Sequence, residues 1–101
     1  MYTIIYGDLN LVLNTHLDCD KYKHINNPKS RKELLEIMEI FDLKDTFRFL
    51  HPNLKRYTWR RKTLFREARL DYFLTSNSMN DIITHCSINP SYIGAITLIF
   101  N

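Results

Sequence analysis

Gly7-Asp8-Leu9-Asn10, at the end of the run Tyr2-Thr3-Ile4-Ile5-Tyr6, constrains this chain more than any other stretch. The uncharged, aromatic and β-branched run reads as a buried strand beginning almost at Met1. Where it stops, a carboxylate and a carboxamide stand two residues apart. On extended backbone, side chains at i and i+2 point to the same face, so Asp8 and Asn10 would converge at the end of a sheet. Gly7 lets the chain turn, or a ligand approach, with no Cβ in the way. Two readings fit these four residues. One is a plain turn, because Gly, Asp and Asn favour turns. The other is a cluster of polar groups at a strand end, a common place for chemistry.

The rest of the chain supplies at most one domain, since it has 101 residues. Its 45% hydrophobic and 13% aromatic content is that of a globular chain, not a disordered one. Residues 11–29 read as a loop, broken by Asn14, Asp18, Asp20, Asn26, Asn27 and Pro28. A helix is predicted over 30–41: Ser30 and Glu33 form a capping box, and Leu34, Leu35, Ile37, Met38 and Phe41 form an apolar stripe. A second, short helix is predicted over 44–50, ending before His51-Pro52. Strands are predicted over 56–60 and 68–75, joined by a basic loop, with Asn77 capping one helical turn over 78–81. A further strand, 82–88, would place Ile82, Thr84, Cys86 and Ile88 on one face. The nearly continuous apolar run 94–100 suits a strand covered on both faces. This order predicts an α/β (α+β) fold: one half of a two-sheet β-sandwich with helices outside.

Charge is unevenly spread. Residues 55–69 hold Lys55, Arg56, Arg60, Arg61, Lys62, Arg66 and Arg69 against the single acid Glu67, a local balance of +6 in a chain of +3 overall. With Tyr57, Trp59 and Phe65 interleaved, the block suits a polyanion such as nucleic acid; a solvated hairpin is the alternative. Cys19 and Cys86 stand far apart, with no Cys-x-x-Cys pair and no secretory pattern at the start, so free thiols in an intracellular protein are expected. No run is long enough to span a membrane. His16, Asp18, Cys19, Asp20 and His24 match no common zinc spacing, and no metal site is expected there.

Three motifs occur in order: Gly7-Asp8-Leu9-Asn10, Tyr57-Thr58-Trp59, and Arg69-Leu70-Asp71-Tyr72-Phe73-Leu74. Leu17-Asp18, Phe47-Arg48-Phe49-Leu50-His51-Pro52 and Asn89-Pro90-Ser91-Tyr92 accompany them. The ordered set resembles the C-terminal half of an endonuclease/exonuclease/phosphatase domain, above all the endonuclease domain of non-LTR (LINE-type) retrotransposons. The resemblance implies a DNase I-like four-layer fold and Mg²⁺-dependent cleavage of DNA. It gives Asp8 the part of orienting or deprotonating the attacking water, Asn10 that of binding the scissile phosphate, and Asp71 that of pairing with a catalytic histidine. It makes Thr58, Trp59 and Arg69 part of the site floor around the phosphate. Without the resemblance, Trp59 reads as core, Thr58 as an ordinary strand residue, and Arg69 with Asp71 as a surface charge pair.

The sequence also departs from the family pattern. A Ser-Asp-His triplet is expected after Asn-Pro-Ser-Tyr, but Tyr92 runs into Ile93-Gly94-Ala95-Ile96. The metal-binding Asp and the phosphate-facing His are thus missing, as are the Asn and Glu of the family's N-terminal half. The expectation is a truncated, inactive remnant of a DNA phosphodiesterase that binds no Mg²⁺ itself. The alternatives are a non-catalytic nucleic-acid-binding module, acting in the nucleus on DNA through residues 55–69, and a small domain that self-associates through an exposed sheet.

Overall fold

In the computed structural model, residues 2–20, 27–61, 66–89 and 96–100 are described. Their elements follow the order β1 (Ile4–Asp8), β2 (Cys19–Asp20), α1 (Pro28–Ile40), β3 (Leu43–Asp45), α2 (Thr46–Leu50), β4 (Trp59–Arg61), β5 (Arg66–Ala68), β6 (Asp71–Ser76), a 3₁₀ turn (Asn77–Met79), β7 (Ile83–Ile88) and β8 (Ile96–Phe100). They build a mixed α/β domain from three small antiparallel sheets and two helices: β1-β6-β3, β2-β5-β4, and β7-β8. No helix among the described residues is long and apolar enough to cross a membrane.

β6 organises the packing because its side chains alternate between two apolar layers. Tyr72 and Leu74 are fully buried against Leu11, Leu13 and Leu43, where Leu34 and Met38 of α1 join them. Phe73, on the opposite face, joins the layer formed by Phe47 of α2, Cys86 and Ile88 of β7, and Ile96 and Leu98 of β8. A third cluster, Val12, Ala68 and Leu70 with Cys19 and Trp59, closes the end where the β2-β5-β4 sheet lies.

Several expectations are corrected. α1 begins at Pro28, after Asn27 in a left-handed conformation (φ 50°), and Ser30 lies inside the helix, so the capping box does not form. Proline suits the first turn because its missing N–H is unused there. Of the predicted stripe, only Leu34 and Met38 pack on the sheet. Arg31 docks beside them, its Nε donating to Val12 O (3.1 Å) and its Nη2 to Leu13 O (2.6 Å). Leu35, Ile37 and Phe41 stand 41%, 40% and 61% exposed. The second helix starts later than expected, at Thr46, because residues 43–45 pair with β6 as a strand. Asp45 then caps it, accepting from Arg48 N at 3.4 Å.

Residues 68–75 are not one strand. β5 and β6 belong to different sheets, and the chain breaks between them at Arg69-Leu70. There the Arg69 amide donates to Asp18 O at 2.7 Å and the Leu70 amide to Thr58 Oγ1 at 2.9 Å. In β7 an irregularity between Ile83 and His85 shifts the inward phase, so Ile83, Cys86 and Ile88 are buried and Thr84 is exposed. β8 is not covered on both faces, since Thr97, Ile99 and Phe100 are exposed. Asn77 lies within its turn rather than capping it, and its Nδ2 donates to Asp42 Oδ1 at 2.7 Å.

Candidate active site

The end of β1 and the start of β6 bring the first and third motifs together. Asp8 is the register partner of Asp71. The flanking bonds set the type of pairing: Leu9 N donates to Leu70 O (2.9 Å) and Ser76 N to Thr3 O (3.0 Å). Odd-numbered residues of β1 therefore face β6 with their backbone groups, and Asp8 and Asp71 form a non-hydrogen-bonded pair. Such pairs set their Cα atoms about 4.5 Å apart with side chains on one face. Asp8 is exposed and Asp71 half-buried.

Asn10 does not continue the strand. Its φ is 50°, and its amide donates to Asp8 Oδ1 at 2.8 Å. The side-chain convergence expected from extended backbone is thus replaced by an Asx-type turn, in which Asp8 binds its own chain two residues on. Asn27 fastens this turn from α1, its Nδ2 donating to Asn10 O at 2.6 Å. Gly7 supports the arrangement with φ 149°, a conformation open to glycine and rarely to other residues.

Thr58 is buried and fixes the other side of the pair. Its Oγ1 accepts from Leu70 N (2.9 Å) and Asp71 N (3.3 Å), while its own amide donates to Ala68 O (3.0 Å). Trp59 packs against the Val12, Ala68 and Leu70 cluster.

Arg69 is placed differently from the site floor expected of it. It is fully buried, facing inward from the break between β5 and β6. Its Nε and Nη2 donate to the two oxygens of Asp18, each at 2.9 Å, and its Nη1 donates to Asp45 Oδ1 at 2.8 Å. Nη2 also meets Asp45 Oδ2 at 2.5 Å. Arg48 adds a second cation, pairing with Asp18 Oδ1 at 2.5 Å and donating to His51 O and Leu54 O. The Arg69 guanidinium lies between the Tyr72 ring, 4.4 Å from its centroid, and the Phe47 ring, 5.1 Å away. Burial alone lowers its pKa; hydrogen bonds and charge from Asp45, then Asp18, outweigh that and hold it above its ordinary value. Two carboxylates take four of the five N–H donors of Arg69, and its side chain is fully buried, so it is not presented to a phosphate at the surface. Asp18, Asp45 and Arg48 were not singled out from sequence as partners of Arg69. The signal was an arginine set between Ala68 and Leu70, both apolar and both buried.

The Tyr72 hydroxyl ties this cluster to the strand end. It accepts from Leu13 N (3.1 Å) and faces Leu11 O and Arg69 O, each at 3.0 Å. Burial raises its pKa.

The basic block is divided. Arg60 is opposite Glu67 and pairs with it, Nε to Oε1 at 2.7 Å, while register sets Arg61 opposite Arg66. Lys55 is exposed, Arg56 and Arg66 are half-buried, and Lys62 lies outside the described residues. Among the described residues no three His, Cys, Asp or Glu side chains are grouped to hold a metal. Asp18 of the loop cluster is committed to Arg48 and Arg69, and His24 lies outside the described residues.

No protein-family model matches this sequence, and no curated protein matches it. Among solved structures, the chain superposes on an AP endonuclease from Leishmania major with a TM-score of 0.71 at 22% identity. The match covers 96% of this chain and 33% of the AP endonuclease, so the chain spans about a third of that protein's length. The likeness shows a shared fold.

Proposed function

We propose that this chain is the C-terminal portion of a DNase I-like nuclease fold of the non-LTR retrotransposon type, and that alone it binds DNA weakly without cutting it. The observation that carries the reading is Asp8 opposite Asp71 at one sheet end, with Thr58 holding the Asp71 amide, on a fold shared with an AP endonuclease. In that reading the β1-β6-β3 and β7-β8 sheets, meeting across Phe73 and Phe47, belong to the two sheets of the sandwich, with helices outside.

Phosphodiester hydrolysis of this class needs a base for water, a cation for developing charge, and donors that hold the phosphate in line. Asp8 supplies a carboxylate for the first role and Asn10 a carboxamide for the last. Asp71 would pair with a histidine, but the Ser-Asp-His triplet that would bring one after Tyr92 is absent from the sequence. A resident Mg²⁺ does not fit the residues present: two carboxylates face each other, Asp8 Oδ1 is already taken by the Asn10 amide, and no third ligating side chain joins them among the described residues. No catalytic step is therefore assigned to this chain.

DNA binding rests on Lys55, Arg56, Arg60, Arg61, Lys62 and Arg66. Arg69 drops out of that set because it is buried. A chain working on DNA in this way acts in the nucleus. The test uses the purified 101-residue chain. It should leave supercoiled plasmid intact in Mg²⁺, and its affinity for a labelled duplex should fall steeply with salt. Replacing Arg60, Arg61 and Lys62 together by alanine should flatten that dependence. Mg²⁺-dependent nicking abolished by Asp8→Ala would overturn the non-cutting assignment; an unchanged salt slope in the triple variant would overturn the DNA-binding one.

A further inference from the structure

β1 leaves its outer edge open. It is the terminal strand of its sheet, with no strand beside it among the described residues. Thr3 and Leu9 bond toward β6, so the odd positions of β1 face inward. The backbone N–H and C=O groups of Tyr2, Ile4 and Tyr6 must then point out of the sheet. Their side chains share one face and stand 61%, 45% and 58% exposed, with the Tyr6 ring stacked on Phe73 at 4.5 Å. Sheet edges are ordinarily blunted by lysine, proline or a bulge. Tyr2 to Tyr6 has no lysine, no proline and no charge, and pairs with β6 in unbroken register from Ile4 onward.

We propose that β1 pairs antiparallel with β1 of a second copy of this chain, on a two-fold axis through Ile4, joining two three-stranded sheets into one of six. The residue order supports this partner over a foreign strand. Tyr2-Thr3-Ile4-Ile5-Tyr6 is nearly palindromic about Ile4. A two-fold pairing there sets Ile4 against Ile4, and Tyr2 against Tyr6 in both directions. Each is a pair of outward-facing residues, so each exchanges two backbone hydrogen bonds. Such an isologous contact closes on itself and stops at a dimer. Charge agrees. The two Asp8 carboxylates lie four residues either side of the axis, about 27 Å apart along the strands at 3.4 Å per residue, well beyond a Debye length at physiological salt. The turn at Asp8–Asn10 stays outside the seam, so this inference is independent of the reading of that site.

The test is sedimentation of the purified chain over a concentration series, with amide exchange followed residue by residue. The expected result is a doubling of mass with concentration. Amides of Ile4 and Tyr6 should become protected as mass rises, while those of Ile5 and Gly7, bonded to β6, stay protected throughout. Ile4→Lys or Ile4→Glu alone sets like charges on the axis and should give monomer; mixing the two variants should restore the dimer. Ile40→Lys, on the exposed end of α1, should leave it intact. A wild-type chain that stays monomeric, or protection that does not follow mass at Ile4 and Tyr6, overturns the proposal. So does a dimer lost in Ile40→Lys but kept in Ile4→Lys.

Discussion

Arg69→Met is the most exacting test of how this fold is held together. The wild-type cluster balances two cations, Arg48 and Arg69, against two anions, Asp18 and Asp45. Removing Arg69 leaves Asp18 with Arg48 alone and takes from Asp45 its guanidinium partner. Asp18 is wholly buried and the Asp45 side chain nearly so. Breaking a buried pair by removing one partner costs about 3–5 kcal/mol. Loss of the guanidinium between Tyr72 and Phe47 adds about 1 kcal/mol. Against a total stability of about 5–15 kcal/mol for a domain, the variant should be marginal at room temperature. By contrast Glu67→Gln, which breaks the Arg60–Glu67 pair at a half-exposed site, should cost about 0–1 kcal/mol. Urea unfolding followed by the fluorescence of Trp59, the single tryptophan, measures both. A third variant separates unpaired charge from lost packing. Asp45→Asn combined with Arg69→Met removes the one stranded carboxylate while Asp18 keeps its pair with Arg48, and should recover much of the loss. If Arg69→Met costs under about 1 kcal/mol, or the double variant is no more stable than the single one, the account of the cluster is wrong.

Thr58→Val should destabilise by about 1–3 kcal/mol, because the amides of Leu70 and Asp71 lose their acceptor while side-chain volume is nearly kept; the same urea titration checks it. Stability should also fall in alkali. Burial first, with the charge of Asp45 adding and that of Arg69 opposing, pushes the Cys86 thiol from an ordinary 9.0 up to about 12. Because the unfolded thiol ionises first, this contribution is fully present below pH 9 and lost between 9 and 12. Unfolding midpoints measured across that window should decline, and Cys86→Ala should flatten the decline, leaving the part due to Tyr72, whose hydroxyl burial also raises.

What the sequence made legible was local. β1, α1 and β7 carry their own apolar pattern, and each forms close to where that pattern puts it, although β1, expected to be buried, is a sheet-edge strand with Ile4 and Tyr6 exposed. The strands that were missed are made by partners, not by propensity. β2 has two residues and β3 three, and each exists because a distant strand offers it a ladder. A single strand over 68–75 puts Arg69 on the same face as Asp71. The chain instead breaks there, since one buried guanidinium meeting two carboxylates outweighs two more residues of ladder. At Gly7-Asp8-Leu9-Asn10 the turn reading describes the segment: Asp8 accepts from the Asn10 amide, and the turn ends the strand opposite Asp71.

The pairing of β1 with β6 has a consequence for how the chain is made. Thr3 finds its hydrogen-bond partner, Ser76, 73 residues later. During synthesis β1 waits until the 73 residues from Thr3 to Ser76 have been made before its β6 ladder can form. Closing so long a loop precedes any return in contacts, which slows folding relative to the locally connected β7–β8 hairpin. During that interval Tyr2, Ile4 and Tyr6 are open to any strand that meets them, including the same segment of a neighbouring nascent chain. The order of synthesis thus leaves the uncharged run from Tyr2 to Tyr6 without its β6 partner while the intervening segment is made.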